Sequence, residues 1–296
     1  MNKYLGIILL VATMALIFYL GTHWPKLTSL EPPSWSSKST SSLQIPPESY
    51  ISEPPKPYEI KEPSKTSTPP EPPEGFKTED LSPYFKKIRI SGVSASVFYK
   101  SPSRITLTTA YNLNEKINIS GWRLKSNREE FIIPQAIEIY DPFGLSQASD
   151  IKLEKDQRVY IYSSVSAFGR NLRLNKCIGY LENTYDFIPS LPRNCPRIAR
   201  SEIYDLGGAC QNYLMSLSSC EVPNSNNTII AWNEKCRQFV ERANINYKGC
   251  FDRYRADLDF LSKEWWVWAG VNIFDPYHDR VLLLDKEGLL VDVYIY

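Results

Sequence analysis

Apolar residues fall into four successive textures along the chain. Residues 4–21 form an 18-residue stretch without a charge, YLGIILLVATMALIFYLG. At about 1.5 Å per residue a helix of this length covers about 27 Å, close to a hydrocarbon core of about 30 Å. The stretch therefore predicts a transmembrane signal anchor over 1–24. A cleaved signal peptide competes, but its apolar region is shorter and ends in a small-x-small site, whereas this one exits through FYLGTHW. A buried core helix is the third alternative. Lys3 precedes the stretch, and Lys26 and then Glu31 follow it. That asymmetry favours a single-pass membrane protein with its N-terminus cytoplasmic and its C-terminal domain extracytoplasmic.

The second texture is polar. Residues 31–75 hold twelve prolines in 45 positions, with Glu, Lys, Ser and Thr filling the gaps. Apolar residues are too sparse to repay the entropy of ordering, which predicts a disordered, semi-stiff linker over 25–84. A bait for a proline-binding groove is the alternative, without a distinctive basic-flanked PxxP to recommend it.

From residue 85 the period becomes two. Ile88, Ile90, Val93 and Val97 mark an irregular first strand, and 104–108 (RITLT) alternates cleanly. In 116–125 (KINISGWRLK) the apolar parity shifts across Ser120 and Gly121, as at a bulge, with Trp122 expected in the core. Segments 131–134, 136–140 and 158–162 (RVYIY) read as further short strands, and many short strands suggest a sandwich or barrel. The fourth texture has period 3.6. Three stripes predict short amphipathic helices: one from Ile203 to Cys220, one from Thr228 (a candidate cap) to Ala243, and one from Cys250 to Leu261. Trp232, Phe239 and the run Trp265, Trp266, Trp268 would dock these helices on the strands.

The stretch 117–124 (INISGWRL), followed by Ile133 and Pro134, resembles the lamin tail domain. So does the closing hairpin, 281–285 and 290–294 around a turn at Gly288. The resemblance implies a mainly β, immunoglobulin-like β-sandwich, with strands in 85–165 and 265–296 of a domain spanning 85–296. A Cys-rich helical insertion occupies 177–262. It also implies a binding or scaffolding role and no catalytic set. Two departures stand out: Lys155, Asp156 and Gln157 replace a frequent glycine, and about 90 residues separate the two matching halves.

Cysteine usage supports an oxidising compartment. Cys177, Cys195, Cys210, Cys220, Cys236 and Cys250 form an even set of six with none elsewhere, which predicts three structural disulfides. Zinc would want a C-x2-C pair or a histidine within the cluster, and free buried thiols are the other option. Fifteen connectivities exist for six cysteines. A nested pair 210–250 and 220–236, with 177–195 closing a third loop, is one plausible geometry.

Charge adds little, with 34 Lys and Arg against 33 Asp and Glu. A mild basic bias over 85–165 makes Lys86, Lys87, Arg89, Arg123, Lys125 and Arg128 candidate polyanion contacts, for instance to nucleic acid. Two histidines leave little for His-dependent chemistry. His278 lies in a turn-rich FDPYHDR stretch with no nucleophile placed near it. Asp252, Asp257, Asp259 and Asp275 are the carboxylates a cell-wall-acting enzyme would draw on. No nucleophile elbow, zinc-protease, phosphate-loop or EF-hand motif occurs, and no cofactor is expected. The sequons at Asn118 and Asn226 read as chance. The expected function is a membrane-anchored binding or scaffolding protein with a protein or cell-envelope partner. Nucleic-acid binding and cell-wall enzymology are the alternatives.

Overall fold

Period-two segments become strands wherever a partner strand can take up their backbone groups. The computed structural model describes residues 71–96 and 101–296, which belong to a unit spanning Ser67–Tyr296. Its strands are β1 (Ile88–Ser94), β2 (Arg104–Thr109), β3 (Ile117–Asn118), β4 (Arg123–Lys125), β5 (Glu130–Ile132), β6 (Ala136–Ile137) and β7 (Ala148–Ser149). They continue with β8 (Lys152–Leu153), β9 (Arg158–Tyr162), β10 (Leu172–Asn175), β11 (Leu261–Trp268), β12 (Arg280–Leu284) and β13 (Leu290–Ile295). Among the described residues the order in the larger sheet is β1-β2-β9-β11-β10-β6-β7. A second sheet runs β13-β12-β4-β5, and β3 pairs with β8.

This corrects the expected mainly β, immunoglobulin-like sandwich. The architecture is mixed α/β, and neither sheet closes. Strand β11 runs parallel to β9, and β10 runs parallel to β6. An immunoglobulin sandwich, by contrast, is built from antiparallel sheets. Alternation alone does not encode strand direction. A strand with apolar residues on both faces is free to enter the centre of a sheet, and β11 does so.

One core lies between the two sheets. Ile105, Leu107, Val159, Ile161, Trp265 and Val267 enter it from the larger sheet, and Leu124, Val281, Leu283 and Val291 from the smaller. Trp122 is 2 % exposed within it. The bulge beside it rests on Gly121, whose φ of +85° is a left-handed conformation natural to glycine. There Gly121 N–H donates to Ile133 O at 2.7 Å and Ile133 N–H donates back to Trp122 O at 2.8 Å. Residues 71–84, expected to be linker, lie against the smaller sheet. Ser82 N–H donates to Leu290 O, and Arg280 Nη2 donates to Glu74 O, both at 2.9 Å.

The helices are α1 (Gly208–Ser216), α2 (Thr228–Trp232), α3 (Glu234–Ala243) and α4 (Tyr247–Tyr254). The expected helix from Thr228 to Ala243 is broken at Asn233, which caps α3 by accepting from Cys236 N–H. Asn227, not Thr228, caps α2. Trp232 is 87 % exposed and docks nothing. A second core, rich in aromatic rings, joins this region to the sheet. Trp266, Trp268, Tyr162 and Leu172 supply it from the strands, with Phe187, Tyr247, Phe251 and Phe260 opposite.

All six cysteines are paired, as 177–250, 195–220 and 210–236. None of these is a pair of the nested arrangement. Breaking the chain at Asn233 turns Cys236 onto Cys210 of α1. Cys220, beyond the end of α1, reaches back to Cys195, and Cys250 of α4 staples the end of β10 through Cys177. Packing there is tight: a Cβ on Gly179 would sit 2.5 Å from both Cys220 Sγ and Pro192 O.

The expected membrane placement also needs correction. The anchor expected over 1–24 lies outside the described residues. Among the described residues no helix is long and apolar enough to cross a membrane. The longest of them, α3, has ten residues, about 15 Å at 1.5 Å per residue. The single-pass, membrane-anchored topology and the membrane as partner are therefore not carried forward.

Two measurements test this architecture. Trp122→Ala should cost about 3–5 kcal/mol in urea unfolding, the usual loss for emptying a buried aromatic site; a loss under 1 kcal/mol would contradict its core position. Removing the 177–250 bridge, which spans 73 residues, should cost about 4 kcal/mol in the chain-entropy model. The 195–220 bridge, spanning 25 residues, should cost nearer 3.5 kcal/mol. Peptide mapping of the unreduced protein checks the pairing itself.

Candidate functional site

Strand pairing in the larger sheet sorts its outward residues into three rows. Arg89, Thr108, Arg158 and Glu264 form the first, by the register of β1, β2, β9 and β11. Gly92, Thr106, Tyr160 and Trp266 form the second. Ser94, Arg104, Tyr162 and Trp268 form the third. The helical region buries the β11 end of each of the two aromatic rows, so Trp266, Trp268 and Tyr162 are inaccessible. The β1–β2 half stays open. Above Gly92 there is empty space, since a Cβ there would meet nothing within 4 Å.

Three arginines rim this open half. Arg104 lies with its guanidinium 5.4 Å from the centre of the Tyr160 ring. Arg158 Nη1 donates to the Tyr160 hydroxyl at 3.4 Å, and Arg89 Nε donates to Lys86 O at 3.3 Å. Among the described residues none of the three has an acid within 4 Å, but Glu264 on β11 stands directly across from Arg158 and its charge acts on that guanidinium. Along the strands Arg104 and Arg158 are four residues apart in register, about 13 Å, and Arg89 and Arg158 are two strands apart, about 10 Å. The result is a shallow trough with a threonine, glycine and tyrosine floor and cationic walls. Burial raises the Tyr162 phenol far above its ordinary pKa, so that hydroxyl stays protonated beneath Arg104.

Beyond the third row the sheet ends. Because β9 and β11 are parallel neighbours, their C-terminal loops leave at the same end and part there. A cleft of about 600 Å³ opens between them, lined by Ser163, Ser166, Val165, Asp186, Val271 and Asn272 among others. Other hollows lie elsewhere, among them a shallow depression of about 740 Å³ over α3 and α4 along Glu241, Arg242, Lys248, Asp252 and Arg253. The crevice beside α1 and the 195–220 bridge has room for about one water, about 30 Å³. A hollow of about 300 Å³ is lined by Arg158, Lys176 and Lys263 together with Asp259 and Glu264.

The residues singled out in the sequence do not form one surface. Lys86 pairs with the buried Asp292 at 2.5 Å, Lys87 with Glu115 at 2.6 Å, and Arg123 with Glu130 at 3.6 Å. Arg123 and Lys125 lie on β4 of the smaller sheet and Arg128 in the turn after it. Arg89 alone joins the trough. The carboxylates are likewise dispersed. Asp252 pairs with Lys248 within α4. Asp257 and Asp259 converge on Lys176, at 2.9 and 2.6 Å. Asp275 accepts from Tyr277 N–H at 2.9 Å, which with the neighbouring His278 lowers its pKa. Each of these carboxylates thus already serves as an ion-pair or turn acceptor, and no two of them face a common cleft as an acid–base pair would. Arg104 and Arg158 escaped notice in the sequence. The available signal was that each opens a strand at outward parity; which strands would be neighbours was not encoded.

Searches against family models, curated proteins and solved structures find no match to this chain.

The Lys176 cluster yields a titration test. The hydrogen bond from Lys176 holds the Asp259 carboxyl below the ordinary carboxylate range. The attraction is thus present above that range and fades as pH falls through the lowered value. Lys176→Ala should move the Asp259 carboxyl upward in an NMR-detected titration. An unmoved resonance would show that the pair does not persist in solution.

Proposed function

We propose that residues 71–296 form a non-catalytic recognition module that binds a linear anionic polymer along the trough of β1, β2 and β9. The observation that carries this is the placement of Arg89, Arg104 and Arg158 on one uncovered sheet face, where Glu264 stands across from Arg158 and no acid within 4 Å pairs with any of the three among the described residues. Glu264 offsets Arg158 in part; the remaining positive charge of the trough attracts an anionic ligand. Arginine suits the task, because its planar fork matches carboxylate, sulfate and phosphate oxygens.

Magnitudes favour a polymer over a single small anion. One charge about 4 Å from an exposed guanidinium gains about 1 kcal/mol in water, too little to hold an isolated ion. Several charges spaced along a chain sum these gains and bring counterion release with them. Three disulfides fit a protein that matures in an oxidising compartment. The likeness of 117–124 to the lamin tail family, offered here as a resemblance of that bulged segment, supports binding over catalysis.

The test uses the full-length chain on immobilised dextran sulfate, eluted by salt. Each of Arg89→Gln, Arg104→Gln and Arg158→Gln should weaken binding about fivefold at low salt, following about 1 kcal/mol per charge, and should flatten the salt dependence. Lys125→Gln, on the other sheet, should not. If the triple variant is retained like the parent, the trough is not the binding face.

A further inference from the structure

We infer that the polymer is an acidic polysaccharide, and that the cleft at the ends of β9 and β11 is a subsite for its neutral, hydroxyl-bearing sugar units. This rests on the trough being the binding face. The two features are continuous: Arg104 and Tyr162 form the last row of the trough, and Ser163 N–H donates to Ser103 O at 2.9 Å where the cleft begins. A chain lying along the trough therefore runs into the cleft.

Side-chain chemistry changes along that path. In the trough the charged groups are the three arginines, with Glu264 at the covered edge beside Arg158. In the cleft the charged group is Asp186, a carboxylate, accompanied by Asn272 and serine hydroxyls. The Ser164 hydroxyl is taken up by the Ile188 carbonyl, and the Ser166 hydroxyl donates to Arg170 O at 2.7 Å. The side chains of Ser163, Asp186 and Asn272 make no hydrogen bond to another described residue, so they are available to a ligand. A carboxylate beside an amide and a hydroxyl accepts from and donates to vicinal sugar hydroxyls. Val165 and Val271, both exposed at the rim, suit the apolar C–H face of a pyranose ring. The volume, about 600 Å³, is within the ordinary range of small-ligand clefts.

The same features weigh against a nucleic acid. Asp186 would repel a phosphodiester. Single strands are held by stacking bases on exposed rings, but the Tyr160 ring already faces Arg104, and Trp266 and Trp268 are buried. The chemistry therefore favours a glycan in which carboxylate or sulfate groups alternate with neutral sugars.

The experiment measures binding of the full-length chain to three probes of matched charge. They are an oligosaccharide alternating uronate with N-acetylhexosamine, an all-uronate oligosaccharide, and a single-stranded oligonucleotide. The alternating glycan should bind tightest. Asn272→Ala should weaken it about three- to tenfold, the range of one or two neutral hydrogen bonds, without changing the salt slope, and Asp186→Ala should weaken it at least about tenfold, because hydrogen bonds to a carboxylate are the stronger kind. Asp186→Ala should instead strengthen the oligonucleotide, by removing a repulsion. All these positions are exposed, and matching thermal melts confirm that the variants fold. If both cleft variants leave glycan affinity unchanged while the arginine variants abolish it, the trough stands and the polysaccharide subsite falls. Tightest binding of the oligonucleotide overturns the ligand class. Insensitivity to the arginine variants overturns the trough itself.

Discussion

Burial of both faces of β11 is the constraint from which the rest of the unit follows. Its sequence places Trp265 and Val267 on one side and Trp266 and Trp268 on the other, and all four are buried. A strand with that composition is stable only at the centre of a sheet with a layer packed on each face. Pairing parallel to β9 supplies the neighbour, and the smaller sheet supplies one covering layer. The Cys-rich helical region supplies the other.

That covering is partial, and its partiality creates the candidate site. The aromatic core reaches from Trp266 and Trp268 to Tyr162 and Leu172 and no further toward β1. Each aromatic ring removed from water contributes on the order of 1.5–3 kcal/mol, so the helices stay where the rings are. The disulfide between Cys177 and Cys250 holds α4 against the end of β10 and fixes the boundary of the covered half. One geometric choice, β11 beside β9, thus determines three things. It sets which rows are buried, leaves the three arginines in the open, and parts the loops that form the cleft.

Two charge clusters outside the trough are built into the structure. Asp292 is buried, and it accepts from Lys86 Nζ and from Ile90 N–H at 2.7 Å. It thereby ties β13 to the entry of β1. Lys176 is shared between Asp257 and Asp259. The arginines of the trough differ from the lysines of 86–87 in making no ion pair within 4 Å and in sharing one open sheet face, with Glu264 the acid nearest in register, across from Arg158.

Much of the local structure was legible in the sequence. Alternation located β2 and β9, the resemblance to the lamin tail domain pointed to the β12–β13 hairpin, and Gly121 with Trp122 located the bulge. An even cluster of cysteines pointed to three bridges. These features depend on residues near one another in the chain, where period, turn chemistry and side-chain size act directly. Strand β10, the direction of β11, the cysteine pairing and the companionship of Arg89, Arg104 and Arg158 were not legible. Each depends on which distant segments meet, and that is decided by the joint burial of rings and aliphatic side chains contributed from the whole unit. Arg104 and Arg158 illustrate the division. Their outward parity follows from Ile105 and Val159 being apolar, whereas their convergence on one trough exists only because β2 and β9 pair, and because β11 draws the helices over the other half.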